Sequence, residues 1–178
     1  MRVIAGSARR TLLSAPPGSL TRPTSDRAKE ALFNILGTQI TSASFLDIFC
    51  GSGAIGIEAL SRGAREVVFV DNSPAAVQAV RANLTKTRLT GEVLLCSAEK
   101  AIIRLEGRRF DIIFLDPPYG LGILAHIQEA AAGLLAPGGI MAAESALREQ
   151  VIPPHGFTLI DSRKYGQTKI SFMKESAL

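Results

Sequence analysis

Apolar residues in this chain fall into two recurring patterns, short unbroken runs and stripes at helical spacing. The runs Phe45–Phe49, Glu66–Val70, Glu92–Cys96, Asp111–Leu115 and Ile140–Ala143 have strand length and lack the polar alternation of a half-wet sheet. Between them lie segments of helical character: Ala54–Ser61, a stretch from Ser73 through Ala76, Val77, Val80 and Leu84, then Ala98–Leu105 and Ile123–Leu135. Ser73 followed by Pro74 suits a capped first turn, and Pro137-Gly138-Gly139 stops the last helix. Strand and helix alternate, which predicts an α/β fold: a parallel sheet with helices on both faces.

An earlier helix is predicted from Thr24 or Ser25, with Ala28, Ala31, Leu32, Ile35 and Leu36 as its apolar stripe. The tail reads as a hairpin, Thr158–Lys164 and Lys169–Lys174 around Tyr165-Gly166-Gln167. Residues 1–25 are broken by Gly6, Pro16-Pro17-Gly18 and Pro23, so they read as a small hairpin or extended arm. The main domain is then 26–178.

Composition narrows the function classes. At 178 residues, 47% hydrophobic and 20% charged, the chain suits one domain with a full core. No apolar run approaches the ~20 residues of a membrane span, and no secretory h-region is present. Cys50 and Cys96 form neither a disulfide framework nor a zinc motif. The expectation is a metal-free, cytoplasmic monomer with no membrane partner. Charge adds one asymmetry. Six cations and two anions lie within residues 1–30, leaving fourteen of each sign in the rest, so the whole net charge of +4 sits at the amino end. That end is either a solvated arm or a phosphate-binding one, with Arg9, Arg10 and Arg22 as candidate contacts to nucleic-acid phosphates.

The chemistry-bearing residues come at strand ends. Asp47 precedes a G-x-G-x-x-G turn in which Gly51 and Gly53 let the backbone approach a ligand closely. Asp71 follows twenty residues after Gly51, where a carboxylate can accept ribose hydroxyls. Such a turn alone also serves NAD. Asp47 separates the classes, because a carboxylate there repels a pyrophosphate but attracts the sulfonium and ammonium of S-adenosylmethionine, the expected cofactor. Its alternative role is to hold loop amides. Adenine is expected near Ser97 and Ala98; many methyltransferases carry an acid at the position of Ser97, and a serine accepts more weakly.

Asp116-Pro117-Pro118-Tyr119 after the fourth run is the most specific motif. Its prolines remove backbone donors, so the loop presents the Asp116 carboxylate and the Pro117 carbonyl. Those two acceptors suit both hydrogens of an exocyclic base amine, and Tyr119 offers a face for an unstacked base. Cys50 lies within the cofactor loop and is a poor candidate nucleophile, while His126 and His155 are isolated.

Beyond these motifs, Arg2-Val3-Ile4-Ala5-Gly6, Arg22-Pro23-Thr24, Glu30-Ala31-Leu32-Phe33-Asn34-Ile35-Leu36 and Tyr165-Gly166-Gln167-Thr168 complete a pattern across nearly the whole chain. The sequence resembles the bacterial 16S ribosomal RNA guanine-N2 methyltransferases of the RsmD type. The resemblance implies a Rossmann-like class I methyltransferase fold with a seven-stranded sheet and a small amino-terminal extension. It also implies methylation of one guanine in 16S rRNA on an assembling small ribosomal subunit. By the same resemblance Asp47, Gly51, Gly53 and Asp71 would bind cofactor, and Asp116, Pro117 and Tyr119 would form the amine site. Two rivals stand beside it: a DNA adenine-N6 methyltransferase using the same loop, and a catalytically silent RNA-binding or assembly factor.

Overall fold

A computed structural model describes residues 1–16, 26–118 and 122–176; Arg22, Tyr119 and the candidate caps Thr24 and Ser25 lie outside the described residues. The element order is α1 (Asp26–Leu36), β1 (Ser44–Ile48), α2 (Ala54–Ser61), β2 (Glu66–Asp71), α3 (Pro74–Thr87), β3 (Glu92–Leu95), α4 (Ala98–Arg104), β4 (Phe110–Leu115), α5 (Ile123–Ala132), β5 (Leu135–Ala146), β6 (Phe157–Tyr165) and β7 (Thr168–Glu175). The strands form one sheet in the order β3-β2-β1-β4-β5-β7-β6. Strands β1 to β5 pair in parallel, while β7 is antiparallel to both β5 and β6. This is the mostly parallel, seven-stranded sheet that the resemblance implies. Strand order reverses between β1 and β4, which opens a crevice at their carboxyl ends.

Two apolar layers explain the unbroken strand runs. Helices α1, α2 and α3 cover one face, on Phe45, Ile112, Phe114, Ile140 and Phe172. Helices α4 and α5 cover the other, on Leu46, Val68, Ile113, Met141 and Met173. All five residues of β1 are buried, so no polar alternation is possible there.

The fifth strand departs from expectation. Helix α5 ends at Ala132, not Leu135, and β5 begins at Leu135 instead of Ile140. Pairing with β4 jumps from Phe110–Leu135 to Ile112–Ile140, so Pro137-Gly138-Gly139 loops out inside a strand. A Cβ on Gly139 would lie 2.8 Å from the Asp111 carbonyl oxygen, a separation only glycine tolerates.

The described part of the amino-terminal segment packs into the core. Val3 N–H donates to the Thr11 carbonyl and Leu13 N–H to that of Met1, both at 3.0 Å, closing a short bracket. Val3, Ala8 and Leu13 are buried with α1 and α2. Gly6 has φ +82°, and a Cβ there would sit 1.7 Å from the Ser61 carbonyl oxygen, so the bracket's turn is pressed against the end of α2.

Candidate active site

Asp47 is the fourth residue of β1 and is fully buried. Its Oδ2 accepts from Gly56 N–H in α2 at 2.9 Å. The amide-holding role is therefore present, although the amide belongs to the helix and not to the loop. Burial pushes this carboxyl up to about 7, opposed by the Gly56 hydrogen bond and reinforced by the charge of Asp71.

The loop after β1 turns through left-handed backbone at Phe49 (φ 66°), Gly51 (φ 54°) and Gly53 (φ 76°). The glycines serve different ends. Gly53 and Gly56 lie against Phe69, where a Cβ would come within 3.3 and 2.3 Å of the ring. Nothing lies within 4 Å of a Cβ added to Gly51, so its outer side faces open space. Asp71, at the end of β2, accepts from Gly51 N–H (Oδ2, 2.9 Å) and Ser73 N–H (Oδ1, 2.9 Å). Each carboxylate oxygen retains a further lone-pair direction for a hydroxyl donor. The backbone N–H of Cys96 donates to the Asp71 carbonyl at 3.1 Å, which brings Ser97 and Ala98 alongside. Ser97 caps α4 by accepting from Lys100 N–H at 3.4 Å, and Ala98 is buried.

Asp116 follows β4 and is half-buried; its N–H donates to the Ile48 carbonyl at 3.3 Å, fixing it beside the end of β1. Burial raises its carboxyl well above the usual range, with further upward push from Glu144 and then Asp47. Glu144, 3% exposed on β5, was not found from sequence. The register explains its place. Ile112 pairs with Ile140 and Phe114 with Ala142 on the face under α1 to α3; two residues further, Asp116 and Glu144 share that face, as does Asp47 two residues beyond Phe45. Three carboxyl groups thus converge at the carboxyl edge of β1, β4 and β5.

Asn83 of α3 was also missed. Its Nδ2 donates to the Ser14 and Ser52 carbonyls and its Oδ1 accepts from Ser14 N–H, each at 2.9 Å. That amide ties the bracket to the glycine loop. Cys50 is buried, and its thiol is raised well above 9 by burial and by Asp47 and Asp71, as expected of a non-nucleophile.

The structure therefore gathers Asp47, Gly51, Gly53, Asp71, Ser97, Ala98, Asp116 and Pro117 at one edge of the sheet. It does not bring Arg9 and Arg10 there. Both are exposed on the turn that binds Ser61, at the far end of α2, about 12 Å along that eight-residue helix from the loop.

YlbH of Bacillus subtilis is 40% identical, covering 98% of this chain and 99% of its own. Ribosomal RNA small subunit methyltransferase D of Escherichia coli strain K12 is 35% identical over 83% of this chain and 72% of its own. The solved structure of yhhF from Escherichia coli superposes with a TM-score of 0.89 at 31% identity, covering 100% of this chain and 99% of that one. These structural likenesses make the fold that of Rossmann-like class I methyltransferases. The family described as "Conserved hypothetical protein 95" matches residues 1–174, and the chain belongs to it, the RsmD-type family that its motifs resemble.

Proposed function

We propose that this chain transfers the methyl group of S-adenosylmethionine to the exocyclic N2 amine of a guanine in 16S ribosomal RNA. We take its working state to be a cytoplasmic monomer acting on an assembling small subunit. The relatives named as ribosomal RNA small subunit methyltransferases support the substrate class. The observation that carries the base is the nearness of Asp116 and Glu144. Each comes next along the chain after the paired Leu115 and Ala143, close enough for the Glu144 charge to act on Asp116. Guanine presents two adjacent donors on its Watson–Crick edge, N1–H and the N2 amine, and two carboxyl groups can accept from both. Adenine places an acceptor at N1, which a second carboxylate would repel. The same pair favours an intact enzyme over a silent assembly factor.

The residues fit S-adenosylmethionine. Asp47 offers negative charge to its cationic end, Gly51 leaves room, Asp71 has lone pairs for ribose hydroxyls, and Ser97 and Ala98 lie where adenine is expected. The bound cofactor supplies a methyl group made electrophilic by its sulfonium. Asp116 and the Pro117 carbonyl accept the amine hydrogens, which frees the nitrogen lone pair, and Tyr119 holds the unstacked base. Catalysis on this reading is mainly positioning. Incubation with labelled cofactor and undermodified small subunits, naked RNA or duplex DNA tests it, with mass spectrometry of the product. N2-methylguanosine in the RNA is expected. N6-methyladenine in DNA would establish the first rival, and no transfer at all the second.

Asp47 makes cofactor binding pH-dependent. Its folded-state value, about 7, lies above the ordinary 3.8, so the folded protein keeps a proton that the unfolded chain has released. Between those values rising pH removes stability from the unliganded fold, and the loss levels off above about 7. The cationic cofactor prefers the carboxylate. Its affinity should therefore rise by up to about tenfold per pH unit below 7 and then flatten. Calorimetric titration from about pH 5.5 to 8.5 checks this, and a flat affinity would remove Asp47 from cofactor binding.

Arg9 and Arg10 lie too far along α2 to flank the target base, so any phosphates they grip belong to a more distant part of the RNA. Changing Arg9, Arg10 and Arg22 together to alanine should weaken RNA binding and lower its log–log salt slope by about 0.7 per lost contact. Cofactor affinity should stay unchanged. Identical slopes for wild type and variant would make the arm a solvated surface.

A further inference from the structure

Beside the Asp116 loop lies a cleft of about 600 Å³ to which neither the cofactor nor the target amine lays claim. It is bounded by Gly122, Leu124 and Gln128 of the α5 region and by Ala146, Arg148 and Ile152 after β5. Both walls follow the carboxyl ends of their strands, so the cleft opens on the same edge of the sheet as Asp116. Three of its features point to one kind of ligand.

The first is Gln128. Its side chain is 1% exposed, its Nε2 donates to the Met173 Sδ at 3.0 Å, and its Oε1 has no hydrogen-bond partner. It is the sole such buried side-chain atom among the described residues. A buried amide oxygen left bare carries a desolvation penalty, so native proteins rarely retain one without a use. Glutamine is also an expensive choice where methionine would fill the same volume against Met173. The second feature is the start of α5. Gly122 at the N-cap has φ 64° and provides no side-chain cap, leaving the first amide N–H groups of a ten-residue helix directed out of its end. The third is Arg148, exposed on the opposite wall, with Ile152 as an apolar surface that is 62% exposed. Glu149 also lines the cleft, so its charge is balanced and it is no general anion trap.

We propose that this cleft is a subsite for the nucleotide next to the target base in the RNA strand. On binding, the Gln128 amide, whose Oε1 is otherwise closed to solvent, turns toward the cleft and accepts an N–H from the base edge; the base face lies on Ile152, and the phosphate sits between the Arg148 guanidinium and the amides of α5. A single-stranded segment with an unstacked target has its neighbouring base free for such contacts. The subsite rests on the reading of the chain as an RNA methyltransferase and adds recognition of sequence beside the modified position.

The test is direct binding of a fluorescent fragment of unmodified small-subunit RNA, with methyl transfer measured separately. Gln128→Met should weaken RNA binding about tenfold while raising Tm, because the bare acceptor is gone. A merely structural glutamine would give a Tm change with unaltered RNA affinity. Arg148→Ala, on an exposed side chain and safe for folding, should weaken binding severalfold and lower the salt slope by about 0.7. If both variants bind RNA as wild type does, the subsite is overturned. If wild type binds RNA in a Gln128-dependent way yet transfers no methyl group, the subsite stands and the enzymatic reading falls. If wild type does not bind the RNA at all, both fall.

Discussion

Asp116→Ala is expected to cut the rate of methyl transfer roughly 10²-fold or more, while cofactor affinity stays within a few-fold of wild type. The size follows from what the side chain does. An exocyclic amine shares its lone pair with the ring, so it attacks only when its hydrogens are held by acceptors that favour a pyramidal nitrogen. Removing one positioned acceptor of this kind costs about two to three powers of ten. The backbone bond from Asp116 N–H to the Ile48 carbonyl is independent of the side chain, so the loop should keep its place in the variant. Asp116→Asn retains a neutral carbonyl acceptor and should lose less. Because burial, Glu144 and Asp47 all raise the Asp116 carboxyl, transfer by wild type should climb with pH as Asp116 sheds its proton. Glu144→Gln removes the neighbour's charge and should move that profile toward acid. Single-turnover rates with saturating cofactor measure all three, and near-normal turnover by Asp116→Ala would take the residue out of the chemistry.

What could be read from sequence was what depends on neighbours along the chain. The first four apolar runs, the glycine loop, Asp71 at a strand end and the proline pair after Asp116 are local patterns, and each lies where expected. The misses are non-local. Glu144 sits in Ala142-Ala143-Glu144-Ser145-Ala146, which reads as the polar end of a short strand. Only the parallel register with β4 sets it beside Asp116. Lys29 lies one residue off the predicted stripe of α1, yet it is buried with Leu32, Phe33 and Leu36, because the bracket widens the helix's covered face. Charge alone singles out Arg9 and Arg10. The hydrogen bonds from Ser7 and Ala8 to Ser61 decide their position, and no sequence pattern announces them. Pro137-Gly138-Gly139 misled in the other direction, since a helix stop and a strand bulge use the same residues.

The largest stability effect should come from a residue far from the chemistry. Glu58, in the middle of α2, is 0% exposed and holds the amino-terminal bracket. Its Oε2 accepts from Ile4 N–H at 2.7 Å and its Oε1 from Ala5 N–H at 3.0 Å. Arg62 Nε binds Oε1 at 2.7 Å, and Lys29 Nζ lies 3.4 Å from Oε2. Lys29 is equally buried and also donates to the Arg2 carbonyl. Burial lowers the Lys29 ammonium, while the charge and hydrogen bond of Glu58 pull it back up. Glu58→Ala strips the compensation from that buried cation and leaves two backbone amides without acceptors. Breaking a buried ion pair from one side typically costs about 3–5 kcal/mol, which for a chain this size lowers Tm by roughly 6–20 °C. Pairing it with Lys29→Met should recover part of the loss, because no stranded charge remains, but not the part due to Ile4 and Ala5. Proteolysis of the single variant should begin within residues 1–14, the segment whose anchor is gone. Thermal denaturation of both variants decides the matter. A fall under about 1 kcal/mol for Glu58→Ala would mean that the bracket is held by its apolar contacts through Val3, Ala8 and Leu13 instead.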